Sequence, residues 1–211
     1  MFAALDKTTV VAAKDIEAKD LALITNMPID DKFFDRHFAF FASIGYIALQ
    51  IAQIEDEIRQ SMIAMTDDFG AVDDQTKGKN LGALLSLYEI VFLAKFSGDK
   101  NLTKCFQALK PVVAKANKYR NVAVHQNWMF IDADPERPCF LETKNKEEQY
   151  VVVTPALMRE RAMFTHAAFQ YMNDLRAVTE GPDGWSPDAV KDAQKNLEEL
   201  AQGKLRKFQS R

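Results

Sequence analysis

From about Lys32 to Met65 the chain has no proline and one isolated glycine, Gly45, and its apolar residues recur at helical spacing. His37, Phe40, Phe41, Ile44, Ile47, Ile51, Ile54 and Ile58 trace a wide stripe, so the pattern predicts one long helix. Leu81, Leu84, Leu85, Tyr88 and Phe92 give a second amphipathic helix that ends near Ser97-Gly98-Asp99. Asn101 can cap a third, carrying Leu102, Phe106 and Leu109, and Pro111 then falls in mid-pattern. A proline there kinks a helix or starts one at its first position, which predicts a helix from about 111 to 126.

The period changes after Trp128. Phe140-Leu141 and Tyr150-Val151-Val152-Val153 flank the polar stretch Lys144-Asn145-Lys146-Glu147-Glu148, which reads as a β-hairpin over about 138–153. Thr154-Pro155 is a cap followed by proline at the first helical position, and Leu157, Phe164, Ala168, Tyr171 and Leu175 lie on the stripe beyond it. Gly181-Pro182-Asp183-Gly184 is a linker, and Ser186-Pro187-Asp188 opens a last, mostly charged helix. Residues 1–27 are alanine-rich and weakly patterned, with a short helix expected over Lys14–Thr25, while Asp67 to Asp74 reads as a loop. The sum is an all-α, up-and-down helical bundle with a short β-hairpin inserted before the late helix. Its expected layout is an N-terminal extension over 1–29, a helical domain over 30–180, and a linker with a charged helix over 181–211.

Composition narrows the class. The chain has 211 residues, 47% of them apolar and 27% charged, which is ordinary for a globular protein and enough for a sizeable core. The formal charge of −3 argues against coating nucleic acid by bulk charge and leaves room for a small basic site. Cys105 and Cys139 stand apart, with no CxxC and no histidine cluster, so two reduced thiols in a cytoplasmic protein are expected. Phe38 to Ile54 runs without a charge, but its length is at the bottom of the range for spanning a bilayer, and Ser43, Gln50 and Gln53 interrupt it. A helix buried in a bundle or at a subunit interface is expected, and no membrane. So oily a helix in a small bundle also points to a homodimer.

Several chemistries lack their residues. No HExxH, GxxxxGK[ST], GxGxxG or GxSxG occurs, and His37, His125 and His166 lie on different segments outside any metal-ligand spacing. No metal or cofactor is expected. What remains is Asn117-Lys118-Tyr119-Arg120-Asn121-Val122-Ala123-Val124-His125. On a helix, Asn117, Asn121 and His125 share a face, and Arg120, one step round, is long enough to reach across it. Lys110, Lys115 and Lys118 add positive charge. The same residue types also suit plain helix-end capping, because Arg, His and Asn all engage terminal carbonyls.

Here the sequence resembles the HEPN domains (higher eukaryotes and prokaryotes nucleotide-binding). Their signature is an Arg, usually followed by a polar residue, with a His four to six positions beyond, near the end of a core helix. Arg120-Asn121-Val122-Ala123-Val124-His125 fits it, and the order of long apolar helix, second helix, motif helix and late helix is similar over about 30–178. The resemblance implies a metal-independent endoribonuclease acting as a dimer, with Arg120, Asn121 and His125 catalytic and Asn117, Lys118 and Lys115 binding RNA. It also implies a toxin or host-defence role, with an antitoxin-like protein partner. The alternative is a catalytically inactive HEPN-like nucleotide-binding or protein-interaction module; a helical assembly protein is a third. Arg161-Ala162-Met163-Phe164-Thr165-His166 repeats the spacing with Ala in the polar slot, and is read as a decoy.

Overall fold

The computed structural model describes residues 8–13, 21–23, 31–131, 137–144, 146–181 and 184–205. The chain is mostly helical, with one antiparallel sheet, in the order β1 (Thr9–Ala12), β2 (Leu21–Leu23), α1 (Asp31–Thr66), α2 (Phe69–Thr76), α3 (Leu81–Phe96), α4 (Lys100–His125), β3 (Met129–Ile131), β4 (Pro138–Lys144), β5 (Glu147–Val152), α5 (Pro155–Glu180) and α6 (Pro187–Ala201). It divides into two compact units, Met1–Ala48 with Arg120–Met163, and Leu49–Tyr119 with Phe164–Arg211. α1, α4 and α5 each supply residues to both.

The first unit carries the sheet, whose order is β1-β5-β4-β3-β2. β4 and β5 form the expected hairpin, with Phe140 opposite Val151 and Lys144 opposite Glu147. The sheet is larger than that hairpin. β1 adds to one side through Thr9 opposite Val152, and β2 to the other through Leu21 opposite Ile131. Residues expected as an extension therefore complete the sheet. Of the short helix expected over Lys14–Thr25, only 21–23 lie among the described residues, and they are strand. Segments of three or four residues carry too little pattern to announce themselves; β1 pairs with residues 137–143 positions away and β2 with residues 106–110 positions away.

The core of this unit packs Phe40 and Ile47 of α1, Phe130 and Phe140 of the sheet, Trp128, and Met158 and Ala162 of α5. His37 is buried with its ring centroid 4.2 Å from that of Phe130. Phe38 and Tyr46, on the other side of α1, stay exposed beside an open groove of about 400 Å³ that Arg159 and Met163 also line.

The second unit is helical. Ile51, Ile54, Ile58 and Met62 continue the α1 stripe into a core with Tyr88 and Phe92 of α3, Phe106 of α4, Tyr171 of α5 and Leu197 of α6. Among the described residues, His37–Thr66 is the one helical stretch long and apolar enough to cross a membrane. Start signals act as the sequence predicts: Thr154 Oγ1 accepts from the Leu157 N–H, and Ser186 Oγ from Ala189. α5 stops at Gly181, whose φ of 67° suits a residue without a Cβ.

Two expectations fail in this unit. The acidic stretch after α1 is no plain loop: Asp68 caps the Ala71 N–H at 2.9 Å and starts α2. Pro111 does not divide α4, which runs unbroken from Lys100, capped by Asp99 and not by Asn101. The proline ring faces solvent, where the backbone group it leaves unpaired can be hydrated.

Candidate functional site: the end of helix α4

α4 ends on His125 because its terminal carbonyls find another partner. The buried indole Nε1–H of Trp128 donates to the Ala123 carbonyl at 2.9 Å, and the chain then turns into β3. Val122 and Ala123 pack into the core of the first unit, so the opposite face of the last turn, with Asn121, Val124 and His125, is exposed.

Arg120, half-buried, bridges that face. Its Nη1 donates to Asn121 Oδ1 at 3.2 Å and stands 2.7 Å from His125 Nε2. Five residues on a helix are too far round for short side chains to meet; the arginine stem closes the gap. Among the described residues no carboxylate pairs with Arg120, whose Nη1 meets an amide oxygen and an imidazole nitrogen instead. The trio thus sets an uncompensated cation, an amide and an imidazole on one exposed patch of a single unit. An arginine fork holds phosphate or carboxylate bidentately, and an imidazole moves protons near neutral pH.

The other expected residues lie on α4 in the second unit. Asn117 is half-buried and Lys118 exposed. Lys115 is engaged with aromatic faces, its Nζ 5.7 Å from the Tyr119 ring centroid and 5.8 Å from that of Phe164. Lys110 is held by Glu89 at 2.6 Å, and that bond to Lys110 holds the Glu89 carboxyl below its ordinary value. It contributes less free positive charge than the sequence suggests. Glu57, one of three adjacent acids on α1, pairs with Arg176 at 3.1 Å.

Of the Arg161/His166 repeat, Arg161 is buried in the first unit, and His166, in the second, lies between Gln50 at 2.9 Å and Gln170 at 2.9 Å. Among the described residues no three His, Cys, Asp or Glu side chains gather as metal ligands. Trp128 is the residue whose role the sequence concealed; a large indole just past a helix end, needing a partner for its N–H, was the signal. No protein-family model, no curated protein and no solved structure matches this chain.

Proposed function

We propose that this chain is a HEPN-type, metal-independent endoribonuclease with Arg120, Asn121 and His125 as its site, in a helical bundle of the HEPN kind. The observation that carries this reading is the meeting of Arg120 Nη1 and His125 Nε2, 2.7 Å apart on an exposed helix end with no neutralising carboxylate among the described residues. RNA brings its own nucleophile. His125 Nε2 takes the 2′-OH proton as the 2′-oxygen bonds to phosphorus and the bond from phosphorus to O5′ breaks. O5′ takes a proton from the imidazolium of a second copy's site, leaving a 2′,3′-cyclic phosphate and a 5′-OH. Arg120 grips the non-bridging oxygens and stabilises their developing charge. Asn121 orients the guanidinium, and Asn117, Lys118 and Lys115 are assigned to the RNA strand on either side of the scissile bond.

The homodimer this requires has a candidate face in the groove beside Phe38, which is 68% exposed, and Tyr46. A cytoplasmic toxin or defence factor, restrained by an antitoxin-like partner, is the setting in which such an activity makes sense. The alternative, an inactive HEPN-like nucleotide-binding or interaction module, draws on the same contact, because the lone pair a base needs is already engaged by Arg120.

The deciding experiment incubates purified protein with mixed-sequence RNA in excess EDTA. Cleavage should persist in the wild type and fall about 10²–10⁴-fold in Arg120→Ala and His125→Ala, the range for losing a catalytic proton-transfer or charge-stabilising group. His166→Gln should cleave normally. An inactive wild type, or active Arg120 and His125 variants, refutes the enzyme, and a monomer in sedimentation removes the two-histidine site.

A further inference from the structure

We infer that the contact between Arg120 and His125 is a resting latch, which holds the imidazole as its Nδ1–H tautomer with Nε2 blocked and is opened by the phosphodiester that Arg120 binds. This rests on the reading of the α4 end as an RNA-cleaving site and adds how that site is switched.

Guanidinium has five N–H donors, no acceptor, and a charge it does not lose in proteins. At 2.7 Å from Arg120 Nη1, the His125 Nε2 atom must therefore accept. An imidazole that accepts at Nε2 is neutral and carries its proton on Nδ1. The nitrogen whose lone pair could take a substrate proton is thus occupied. The same Nη1 also donates to Asn121 Oδ1 at 3.2 Å, so one nitrogen serves two neutral acceptors.

That arrangement is weak against the right competitor. Hydrogen bonds between guanidinium and phosphate join two opposite charges and are often bidentate, which neither a neutral imidazole nitrogen nor an amide oxygen can match. Arg120 carries no competing carboxylate among the described residues, and both of its partners are exposed on the same helix end. A phosphodiester arriving there draws the fork onto its non-bridging oxygens. Nε2 is then bare beside the phosphate whose 2′-OH it is to deprotonate. The base becomes available only when its substrate is present. Asn121 is the positioning residue: its carbonyl oxygen gives the guanidinium a second anchor at rest.

The test reads the ring nitrogens directly, in the full-length ¹⁵N-labelled protein at pH 8. Long-range proton–nitrogen correlation should show His125, assigned by its loss in His125→Asn, as the Nδ1–H tautomer with Nε2 as acceptor. Arg120→Gln and Arg120→Ala should both return it to the tautomer mixture of the urea-unfolded chain. Thymidylyl-thymidine, a phosphodiester without a 2′-OH, should shift the Nε2 resonance in the wild type and leave it unmoved in both variants; inorganic phosphate, the second arm, should do so less. A resting Nε2–H tautomer, a tautomer indifferent to residue 120, or a ring that does not respond to the diester overturns the latch. The two readings fail separately. A latch seen in a protein that cleaves no RNA refutes only the ribonuclease, and cleavage by a protein without the tautomer bias refutes only the latch.

Discussion

The indole nitrogen of Trp128 lies 2.9 Å from the carbonyl oxygen of Ala123, inside the last turn of α4 and two residues before His125. This bond ties the helix end to the core, because the same indole packs edge-on against Phe40 at 4.9 Å and Phe140 at 5.3 Å. Exposed Asn121 and His125, with half-buried Arg120, therefore stand on a turn whose inner side is fixed. A site that must hold a phosphate against an imidazole gains from such support.

Trp128→Phe keeps most of the aromatic packing and strands the Ala123 carbonyl. It should cost about 1–2 kcal/mol, the penalty for one unsatisfied buried acceptor. Trp128→Ala should cost about 3–5 kcal/mol, as large-to-small core changes do. Urea denaturation gives both values, and amide exchange at Val124 and His125 should quicken in the Phe variant. Unchanged exchange there would show that the indole bond does not hold the turn.

Pro111 offers the opposite sign. It sits in the interior of α4 with its ring exposed, removing the N–H that would reach the Gln107 carbonyl. Pro111→Ala restores that bond, but gives the unfolded chain more freedom. The net expectation is a stabilisation of about 1–2 kcal/mol, from a helix propensity gap of about 3 kcal/mol less the entropic loss and the native accommodation. A lower melting temperature in the alanine variant would contradict this.

Local chemistry was legible in the sequence. The long stripe from His37 to Ile58, the Thr154-Pro155 and Ser186-Pro187 starts, and the 138–153 hairpin all depend on residues within a few positions of one another, and each is where the pattern put it. The failures share a cause as well. β1 and β2 exist only because β5 and β3 pair with them, and nothing within Thr9–Ala12 or Leu21–Leu23 encodes a partner so distant. Pro111 stays inside α4 because Phe106, Leu109, Val112 and Val113 on either side of it are buried, and helix propensity does not contain that packing.

The site divides the same way. Arg120 and His125 meet because a long side chain spans five residues of one helix, a relation that spacing alone contains. The commitments of Lys110 to Glu89 and of Lys115 to Phe164 were hidden, since those partners stand 21 and 49 positions away.

Both thiols should be silent in the folded protein. Cys139 is fully buried beside Ile131 and Val152, and burial pushes its thiol up to about 11; burial raises Cys105 too. The thiolate is the reactive form. At pH 8 a disulfide reagent such as DTNB should therefore titrate neither cysteine on the timescale of minutes, and both at once in guanidinium. A fast-reacting thiol in the native protein would mean that one of these side chains is not packed as described.

His166 should give the fold a pH dependence of its own. Burial lowers the His166 pKa below its ordinary value, and the ring sits between Gln50 Oε1 and Gln170 Nε2, each at 2.9 Å. With the amides in that orientation Nδ1–H donates to Gln50 and Nε2 accepts from Gln170, so the folded state favours the neutral ring. The unfolded chain binds the proton first as pH falls, near 6.5. The sign follows: this contribution to stability is complete above about pH 7 and declines as pH drops through about 6.5 toward the lower folded-state value. His166→Gln cannot titrate and should remove the decline. Urea midpoints of the two proteins, compared from pH 8 to pH 5, should therefore differ in slope below about 6.5, with the wild type losing stability faster. Parallel curves would mean that His166 takes up its proton as readily folded as unfolded.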